Sequence, residues 1–169
     1  VTGYQTQDLV SKAAFVTEAM QAVRELALEC ANGPALGIGT PWQDGGGLYN
    51  AYAVCQGGKI TIVRKHMLPN DGVFDEKRLF QAGDIDGPYT VGPVRIGTPI
   101  CEDAWWPDVA ETLAETGAEI LLVPNGSPYH RDKFDTRLNL MVARVVETGL
   151  PLVYLNMIGG QDDQVFDGG

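Results

Sequence analysis

The chain has 169 residues, of which 44% are hydrophobic and 20% are charged. This length supports one packed core and is too short for two ordinary domains, and the charged fraction is too low for a disordered chain. The formal net charge of −10 argues against a surface that binds nucleic-acid phosphates or anionic lipids. No apolar run approaches the roughly 18 residues that a membrane-spanning helix needs.

The cysteine content indicates a reducing compartment, and the histidines do not suggest a metal site. Cys30, Cys55 and Cys101 are odd in number, and their spacing fits neither a disulfide framework nor a set of metal ligands. His66 and His130 stand alone, so no metal site is predicted. We therefore expect a cytoplasmic protein whose cysteines remain thiols.

The first half of the chain predicts a helix followed by strands. Apolar residues recur at helical spacing from Gln7 to Cys30, so one long amphipathic helix is expected there. Gln56-Gly57-Gly58 separates two strand-like segments, which is typical of a hairpin. The segment from 69 to 83 is predicted to be a loop. The predicted strands cover 35–39, 48–54 and 59–63.

The second half predicts strands that alternate with helices. One helix should begin at Pro107 and end before Gly117, and another should cover 136–148 before Gly149. The strands around them are apolar at nearly every residue, which indicates an α/β fold whose sheet is covered on both faces. The early hairpin makes the predicted sheet mixed. The predicted strands cover 89–91, 94–100, 120–123 and 152–155.

Two further patterns are interpreted as loops. Gly45-Gly46-Gly47 lacks the Lys-Ser/Thr and the helix that a phosphate cradle needs, so a turn is predicted. Asp162, Asp163 and Asp167 fit no calcium-loop spacing, so exposed loop carboxylates are predicted.

The segment Ile100-Cys101-Glu102-Asp103 places a thiol between a predicted strand and a predicted helix. Ligands bind at this position in open α/β sheets. Backbone N–H groups and the positive end of the helix favour the thiolate, which is the nucleophilic form. A small buried core cysteine is the alternative, although the polar residues after the strand argue against it. The residues alone leave both interpretations open.

Lys65 follows the predicted strand 59–63. A lysine in this position is usually a solvated strand end. If the side chain instead points into the same cleft as Cys101, its ammonium could stabilise the oxyanion that forms when a thiolate attacks an amide carbonyl.

The order and spacing of several motifs resemble the nitrilase, or carbon-nitrogen hydrolase, superfamily. The final motif is more narrowly similar to the glutaminase domains of glutamine-dependent NAD synthetases. The resemblance runs from Gly3-Tyr4 to Gly169. The motifs are Lys65 with Leu68-Pro69-Asn70, then Gly72-Val73-Phe74-Asp75-Glu76, then Ile100-Cys101-Glu102-Asp103, then Asn125-Gly126-Ser127-Pro128-Tyr129, and last Asn156 with Gly159-Gly160-Gln161-Asp162 and Val165-Phe166-Asp167-Gly168.

The resemblance implies a nitrilase-type αββα sandwich, with a mixed sheet and helices packed outside, and a Glu-Lys-Cys catalytic triad. It implies that Cys101 is the nucleophile, that Lys65 stabilises the oxyanion, and that Glu76 is a second glutamate supporting the site. Ser127 and Lys133 match positions that hold the substrate glutamine. The chain is expected to be one glutaminase domain over 1–169, truncated at both ends.

Two points bear on activity. The general-base glutamate normally lies a few residues ahead of the Gly-Tyr that matches Gly3-Tyr4, so it is expected before Val1 and the piece is expected to be inactive alone. The chain departs from the family at Asp71, where a tyrosine usually helps to shape the glutamine pocket. An aspartate that pointed inward would repel the substrate carboxylate, so strict glutamine preference stays open here.

The resemblance implies hydrolysis of the side-chain amide of glutamine through a cysteine thioester, which supplies ammonia for ATP-dependent NAD synthesis. No cofactor is expected for the glutaminase step, and ATP and Mg are expected only in a synthetase domain beyond residue 169. The expected partners are glutamine or a similar small amide and that synthetase domain, in a homo-oligomer, without nucleic acid or membrane. Two alternatives stay open: a stand-alone nitrilase-type amidase acting on another small amide, and a non-catalytic fragment or interaction module.

Overall fold

The computed structural model describes residues 2–168, which fall into two compact units, one that ends at Asp86 and one that begins at Gly87. The helices are α1 (Ala13–Glu29), α2 (Glu76–Leu79), α3 (Pro107–Glu115) and α4 (Lys133–Thr148), with short 3-10 helices at Gln7–Ser11 and Cys101–Trp105. The strands are β1 (Leu36–Asp44), β2 (Gly47–Gln56), β3 (Lys59–Arg64), β4 (Tyr89–Val91), β5 (Val94–Gly97), β6 (Ile120–Asn125), β7 (Leu152–Asn156), β8 (Ile158–Gln161) and β9 (Gln164–Asp167).

The first unit is a three-stranded antiparallel sheet with one helix packed against it. The order is β1-β2-β3, and each pair is joined by a tight turn. Gly57 and Gly58 both have positive φ, which glycine adopts without steric cost, so the predicted hairpin between β2 and β3 is confirmed. The apolar stripe of α1 contributes Val23 and Ala27 to a core cluster with buried side chains of β1 and β2. The stripe consists of Val16, Ala19, Val23 and Ala27.

Three predicted boundaries are wrong in this unit. The long helix predicted from Gln7 is interrupted at Lys12, whose extended backbone separates a 3-10 turn from α1. The strand predicted over 35–39 continues to Asp44 because it pairs with β2 along its whole length, including a buried Thr40 that an apolar pattern does not include. The predicted loop 69–83 contains the one-turn helix α2.

The second unit is built on a four-stranded mixed sheet in the order β4-β5-β6-β7. β4 is antiparallel to β5, and β5, β6 and β7 are parallel to one another. α3 and α4 contact the sheet, and Val123 and Met141 form part of the small core between them. α4 ends where Gly149 adopts a left-handed conformation, as predicted. The carboxyl ends of the three parallel strands therefore meet at one edge, which is where ligands bind in such sheets.

The second unit also differs from the prediction in three places. The strand predicted over 94–100 ends at Gly97, so residues 98–100 connect it to the following turn without ladder pairing. α4 begins at Lys133, three residues earlier than the periodicity indicated. The hairpin β8–β9 was not predicted, because its sequence is rich in glycine and polar residues.

The α/β class is confirmed, but the early hairpin does not make the sheet mixed as predicted. Within residues 2–168, β1–β3 form a separate antiparallel sheet and the mixed sheet is β4–β7. One side of α4 carries exposed apolar side chains beside a groove of about 360 Å³. They include Phe134, Leu138, Val142 and Val146. In the described part of the chain, no helix is long and apolar enough to cross a membrane.

Candidate active site

Lys65 is buried, with a relative exposure of 1%, so it is not the solvated strand end that its position in the sequence favours. It directly follows β3, and its Nζ lies 2.7 Å from Oε2 of Glu76, which is itself 3% exposed. A buried ammonium without a partner would lose its charge or destabilise the fold, so the ion pair is a condition for burying Lys65 at all. The structure therefore brings together two of the residues that the sequence singled out.

Both oxygens of the Glu76 carboxylate accept hydrogen bonds. The Tyr4 hydroxyl donates to Oε1 at 2.6 Å, and Nδ2 of Asn50 donates to the same oxygen at 2.8 Å. Oε2 accepts from Lys65. Because both oxygens accept hydrogen bonds from donors on three different segments, the orientation of the carboxylate is fixed. Tyr4 also places its ring 5.9 Å from the Lys65 ammonium and stacks on Phe74.

The main chain of Lys65 is held on both sides. Its N–H donates to the carbonyl of Asn50 at 2.8 Å, and its own carbonyl accepts from the N–H of Gly83 at 2.9 Å. Gly83 can approach this closely only because it lacks a side chain: a Cβ there would lie 2.3 Å from Cβ of Arg64. The segment after α2 therefore packs directly on the end of β3 and encloses Lys65.

Cys101 is the first residue of a 3-10 helix in the second unit, and three residues separate it from the end of β5. Its φ is +51°, in the left-handed region that is costly for a non-glycine residue. The Asp103 carboxylate accepts from the N–H of Ile100 at 3.0 Å, and the Asp103 N–H donates to the Ile100 carbonyl at 3.1 Å. Asp103, which is 2% exposed, thus closes a tight turn that holds Cys101 in its strained conformation.

The turn at Cys101 lies beyond the carboxyl end of β5, and the corresponding ends of β6 and β7 belong to Asn125 and Asn156. Since these three strands are parallel, the segments that follow them leave the sheet at the same edge. Ser127 lies in the segment that follows β6. Its N–H donates to Oδ1 of Asn156 at 2.8 Å, and its carbonyl accepts from Nδ2 of Asn156 at 3.0 Å. The second unit therefore has the segments that carry Cys101 and Ser127 at the carboxyl edge of its parallel strands.

Lys133 begins α4 and is half-buried, with Nζ 5.7 Å from the ring centroid of Trp105. Burial and then the charge of Arg137 lower the pKa of the Lys133 ammonium, and negative charge at Cys101 opposes that shift. Burial and then the charge of Cys101 raise the pKa of the Tyr154 hydroxyl to about 12. The Cys101 thiol therefore shares an electrostatic environment with one cationic and one phenolic group of its own unit.

Arg137 was not predicted from the sequence, yet it organises the loop that carries Ser127. It is 4% exposed and donates from Nε to the Ser127 hydroxyl at 3.2 Å, and from Nη2 to the carbonyls of Ser127 and Pro128 at 3.0 and 3.1 Å. Its Nη1 donates to Asp167 at 2.9 Å. Asp167 was predicted to be an exposed loop acid: it is exposed as predicted, but it lies on β9 and its carboxylate, with a side-chain exposure of 31%, is this cation's partner.

The pKa of Asp167 is lowered. Burial acts to raise it, but the hydrogen bonds from Arg137 and Asn156 together with the charge of Arg137 outweigh burial. Asn156 belonged to a predicted motif without an assigned role, and it bridges the Ser127 and Asp167 segments. An arginine in the first turns of an otherwise amphipathic helix was the available sequence signal for this cluster. Periodicity alone does not reveal that such a side chain turns inward.

Two other predictions concern residues away from these clusters. Asp71, where the family usually has a tyrosine, is exposed in a turn, with its carbonyl accepting from the N–H of Phe74. Residues 45–46 form the turn between β1 and β2, so the prediction of a turn rather than a phosphate cradle is confirmed.

Comparison with known proteins agrees with the sequence resemblance. The family model for carbon-nitrogen hydrolases matches residues 1–169. The glutamine-dependent NAD(+) synthetase of Rhodobacter capsulatus is 59% identical over 169 residues, which is 99% of this chain and 31% of that protein. The corresponding protein of Xanthomonas campestris is 40% identical over 172 residues. The chain thus spans about 31% of the length of these curated relatives.

Solved structures give the same result. The glutamine-dependent NAD+ synthetase of Acinetobacter baumannii superposes with a TM-score of 0.87 at 33% identity, covering 98% of this chain and 32% of that one. An amidase from Nesterenkonia sp. AN1, with acrylamide added to its active-site cysteine, superposes with a TM-score of 0.81 at 26% identity, covering 99% of this chain and 65% of that one. The expected nitrilase-type fold is therefore confirmed. By sequence over its whole length and by structure, this chain belongs to the carbon-nitrogen hydrolase family.

Proposed function

We propose that this chain is the glutaminase part of an enzyme that hydrolyses the side-chain amide of glutamine and delivers the ammonia to ATP-dependent NAD synthesis. The observation that carries the proposal is the position of Cys101, in a strained left-handed turn beyond the carboxyl end of a parallel strand. Cys101 is 8% exposed, yet a core cysteine has no need of such a conformation, whereas a sharp turn at a strand end presents a thiol to a ligand. The similarity of NAD synthetases over 99% of the chain supports glutamine as the amide.

In the proposed reaction, the Cys101 thiolate forms a bond to the carbonyl carbon of the amide. The C–O π electrons move onto oxygen, and the Lys65 ammonium stabilises the oxyanion. When the oxyanion collapses, the C–N bond breaks and the nitrogen leaves as ammonia after taking a proton from the general acid. Water then attacks the thioester, which releases glutamate and restores the thiol. The acid and base in both steps is the glutamate that the family places ahead of Gly3-Tyr4.

The other residues support these steps. The role proposed for Glu76 is to hold the Lys65 ammonium charged and in place, which their 2.7 Å contact supports. Of the three N–H groups of that ammonium, one is accepted by Glu76 within the described residues, so the others can serve a substrate oxygen. Ser127 and Lys133 are proposed to hold the polar end of glutamine, Lys133 through its positive charge.

The proposal extends to the whole protein. We take the two compact units as one truncated glutaminase domain, which the match of one family model to residues 1–169 supports. A synthetase domain of the same polypeptide would bind ATP and Mg, and this chain's own steps involve neither. A cytoplasmic homo-oligomer is part of the proposal.

The deciding experiment uses the full-length protein with the change Cys101→Ser. We expect loss of NAD formation from glutamine and retention of NAD formation from added ammonium, because only the ammonia-producing step needs the thiol. Cys30→Ser is the matched control, since Cys30 is a partly exposed thiol at the end of α1. If Cys101→Ser keeps glutamine-dependent synthesis, the proposed nucleophile is wrong.

A second candidate is a stand-alone amidase acting on another small amide. The superposition on a Nesterenkonia amidase, of which the chain covers 65%, favours it. Asp71 adds to it, because the family's pocket tyrosine is absent there. Steady-state rates on glutamine, asparagine and simple aliphatic amides separate the two: a preference for an aliphatic amide over glutamine would select the second candidate. A full-length protein that hydrolyses none of these amides would instead favour an interaction module.

A further inference from the structure

Asn50 is connected to both members of the buried ion pair. It lies on β2, directly before Ala51, and Ala51 pairs with Arg64 of β3. Because the strands are antiparallel, Asn50 lies opposite Lys65, the residue after Arg64. Its carbonyl accepts from the Lys65 N–H at 2.8 Å. Its side-chain Nδ2 donates to Oε1 of Glu76, also at 2.8 Å.

These two bonds act on different parts of the site. The bond from the Lys65 N–H to the Asn50 carbonyl fixes the backbone of Lys65. The bond from Asn50 Nδ2 to Oε1 fixes the position of the Glu76 carboxylate. The Tyr4 hydroxyl also donates to Oε1, but it comes from the chain segment before α1. Asn50 therefore links the Glu76 carboxylate to β2, and the same residue of β2 also binds the Lys65 backbone.

The amide is suited to this role because it is neutral. A carboxylate at this position would face the Glu76 carboxylate across a hydrogen-bond distance and compete for the Lys65 charge. A lysine would offer Glu76 a second cation and weaken its pairing with Lys65. An asparagine donates a hydrogen bond without changing the net charge of the buried pair.

We propose that Asn50 is a positioning residue for the reaction, which aims the Lys65 ammonium by fixing the Glu76 carboxylate. This inference rests on the proposed role of Lys65 as the oxyanion stabiliser. An ammonium displaced by about 1 Å from a developing oxyanion costs on the order of 10²-fold in turnover. The effect of losing Asn50 should therefore be on kcat, while the binding of the substrate's polar end is retained.

The test uses the full-length protein with Asn50→Leu and Asn50→Asp. The leucine removes the donor at similar volume, and the aspartate keeps the shape. Asn32→Leu and Asn32→Asp are matched controls at an exposed asparagine of the same unit. For Asn50→Leu we expect kcat for glutamine hydrolysis to fall by about 10²-fold, with KM changed by less than about threefold. The controls should remain within about twofold of wild type.

Asn50→Asp adds a readout that a purely structural role would not produce. Two carboxylates in contact cannot both ionise without a large penalty, so the pair retains a shared proton at low pH. That proton restores the missing hydrogen bond, and its loss at higher pH makes the two groups repel. The ratio of variant kcat to wild-type kcat should therefore rise as the pH falls. A ratio independent of pH, with kcat near normal, would overturn the proposal.

A crystal structure of Asn50→Leu tests the same inference without any activity. We expect the Glu76 carboxylate to rotate and its 2.7 Å contact with Lys65 to lengthen. An unchanged ion pair in that variant would contradict the inference. If the wild type hydrolyses no glutamine, the proposed function fails; if Lys65→Ala turns over normally, the proposed oxyanion role of Lys65 fails. In both cases the crystal structure still decides whether Asn50 positions the pair.

Discussion

Lys65 in the first unit and Arg137 in the second are both buried cations, and the two are held in opposite ways. Lys65 is 1% exposed and faces a single carboxylate, that of Glu76, which is itself buried. Arg137 is 4% exposed and donates to one hydroxyl, two carbonyls and the carboxylate of Asp167. Both charges are paired, as burial requires.

The two cations differ in how many of their N–H groups are left to bind another molecule. The guanidinium of Arg137 spends four of its five N–H groups on acceptors of its own fold, so it fixes a loop. The ammonium of Lys65 gives one of three N–H groups to Glu76 in the described residues, so a compact charge is left for another oxygen. A buried cation whose N–H groups are mostly hydrogen-bonded within the fold has a structural role. A buried cation with N–H groups left for a substrate is suited to a catalytic role.

The largest expected effect comes from Lys65→Ala in the full-length protein. Turnover should fall by about 10²–10³, as when one oxyanion donor is lost. Unfolding free energy should fall by about 3–5 kcal/mol, because Glu76 is left buried without its partner. Lys65→Arg should not restore turnover, since a planar fork does not fit the position of a compact ammonium. Steady-state kinetics and urea melts measure both effects.

Lys59→Ala serves as the control for this prediction, because Lys59 is exposed at the start of the same strand and should change stability by less than about 0.5 kcal/mol. Near-normal turnover in a folded Lys65→Ala protein would mean that the oxyanion is held by another group.

Arg137→Met should act first on stability. The change leaves the carbonyls of Ser127 and Pro128 without their donor, and we expect a loss of about 3 kcal/mol. Because the Ser127 loop is then less fixed, KM should rise more than kcat falls. Arg131→Met, at an exposed position just before α4, is the control. A fall in kcat as large as that of Lys65→Ala would remove the distinction between the two cations.

Gly83→Ala tests how tightly the Lys65 segment is enclosed. The added Cβ would meet Cβ of Arg64 at 2.3 Å, so the backbone must shift, at a cost of about 1–3 kcal/mol. Gly87→Ala is matched to it, because a Cβ at Gly87 meets no atom within 4 Å and the substitution should be nearly neutral. Thermal melts of the two variants should differ, and equal melting temperatures would contradict the close packing of this segment on β3.

Asp167→Asn gives the smallest effect and carries a pH dependence. The folded pKa of Asp167 lies below the ordinary value of about 4, so its carboxylate stabilises the fold above that value. This contribution is lost as the pH falls through the lowered pKa. Wild type should therefore be more stable than Asp167→Asn near neutrality, and the gap should close on acidification. Urea melts between about pH 2.5 and 7 measure the gap, with Asp163→Asn in the same hairpin turn as the control.

Much of the fold could be predicted because it is local. The β2–β3 hairpin follows from its glycines, and α3 from Pro107 and Gly117 at its two ends. The break at Lys12 and the hairpin β8–β9 could not be predicted, since neither has an apolar period that differs from its surroundings. Pairing between its two strands determines the β8–β9 hairpin, and sequence spacing does not reveal that pairing.

The candidate site shows the same division. Motif order singled out Cys101, Lys65 and Glu76, but position alone made Lys65 look like a solvated strand end. Its burial depends on Glu76, eleven residues later, and on Asn50 across the sheet. Asn50 was missed because its role arises from strand register, and a single strand does not reveal its partner.

The exposed side of α4 also affects how the protein behaves in solution. Phe134 is 61% exposed and Val146 is 77% exposed, beside the apolar groove of the second unit. A surface of this kind adheres to other apolar surfaces, whereas a net charge of −10 holds identical chains apart through long-range repulsion. Salt shortens the range of that repulsion to about 8 Å at physiological ionic strength and leaves the apolar attraction in place. The solubility of these 169 residues should therefore depend on ionic strength. We expect them to stay monodisperse in dilute buffer and to self-associate when salt is added.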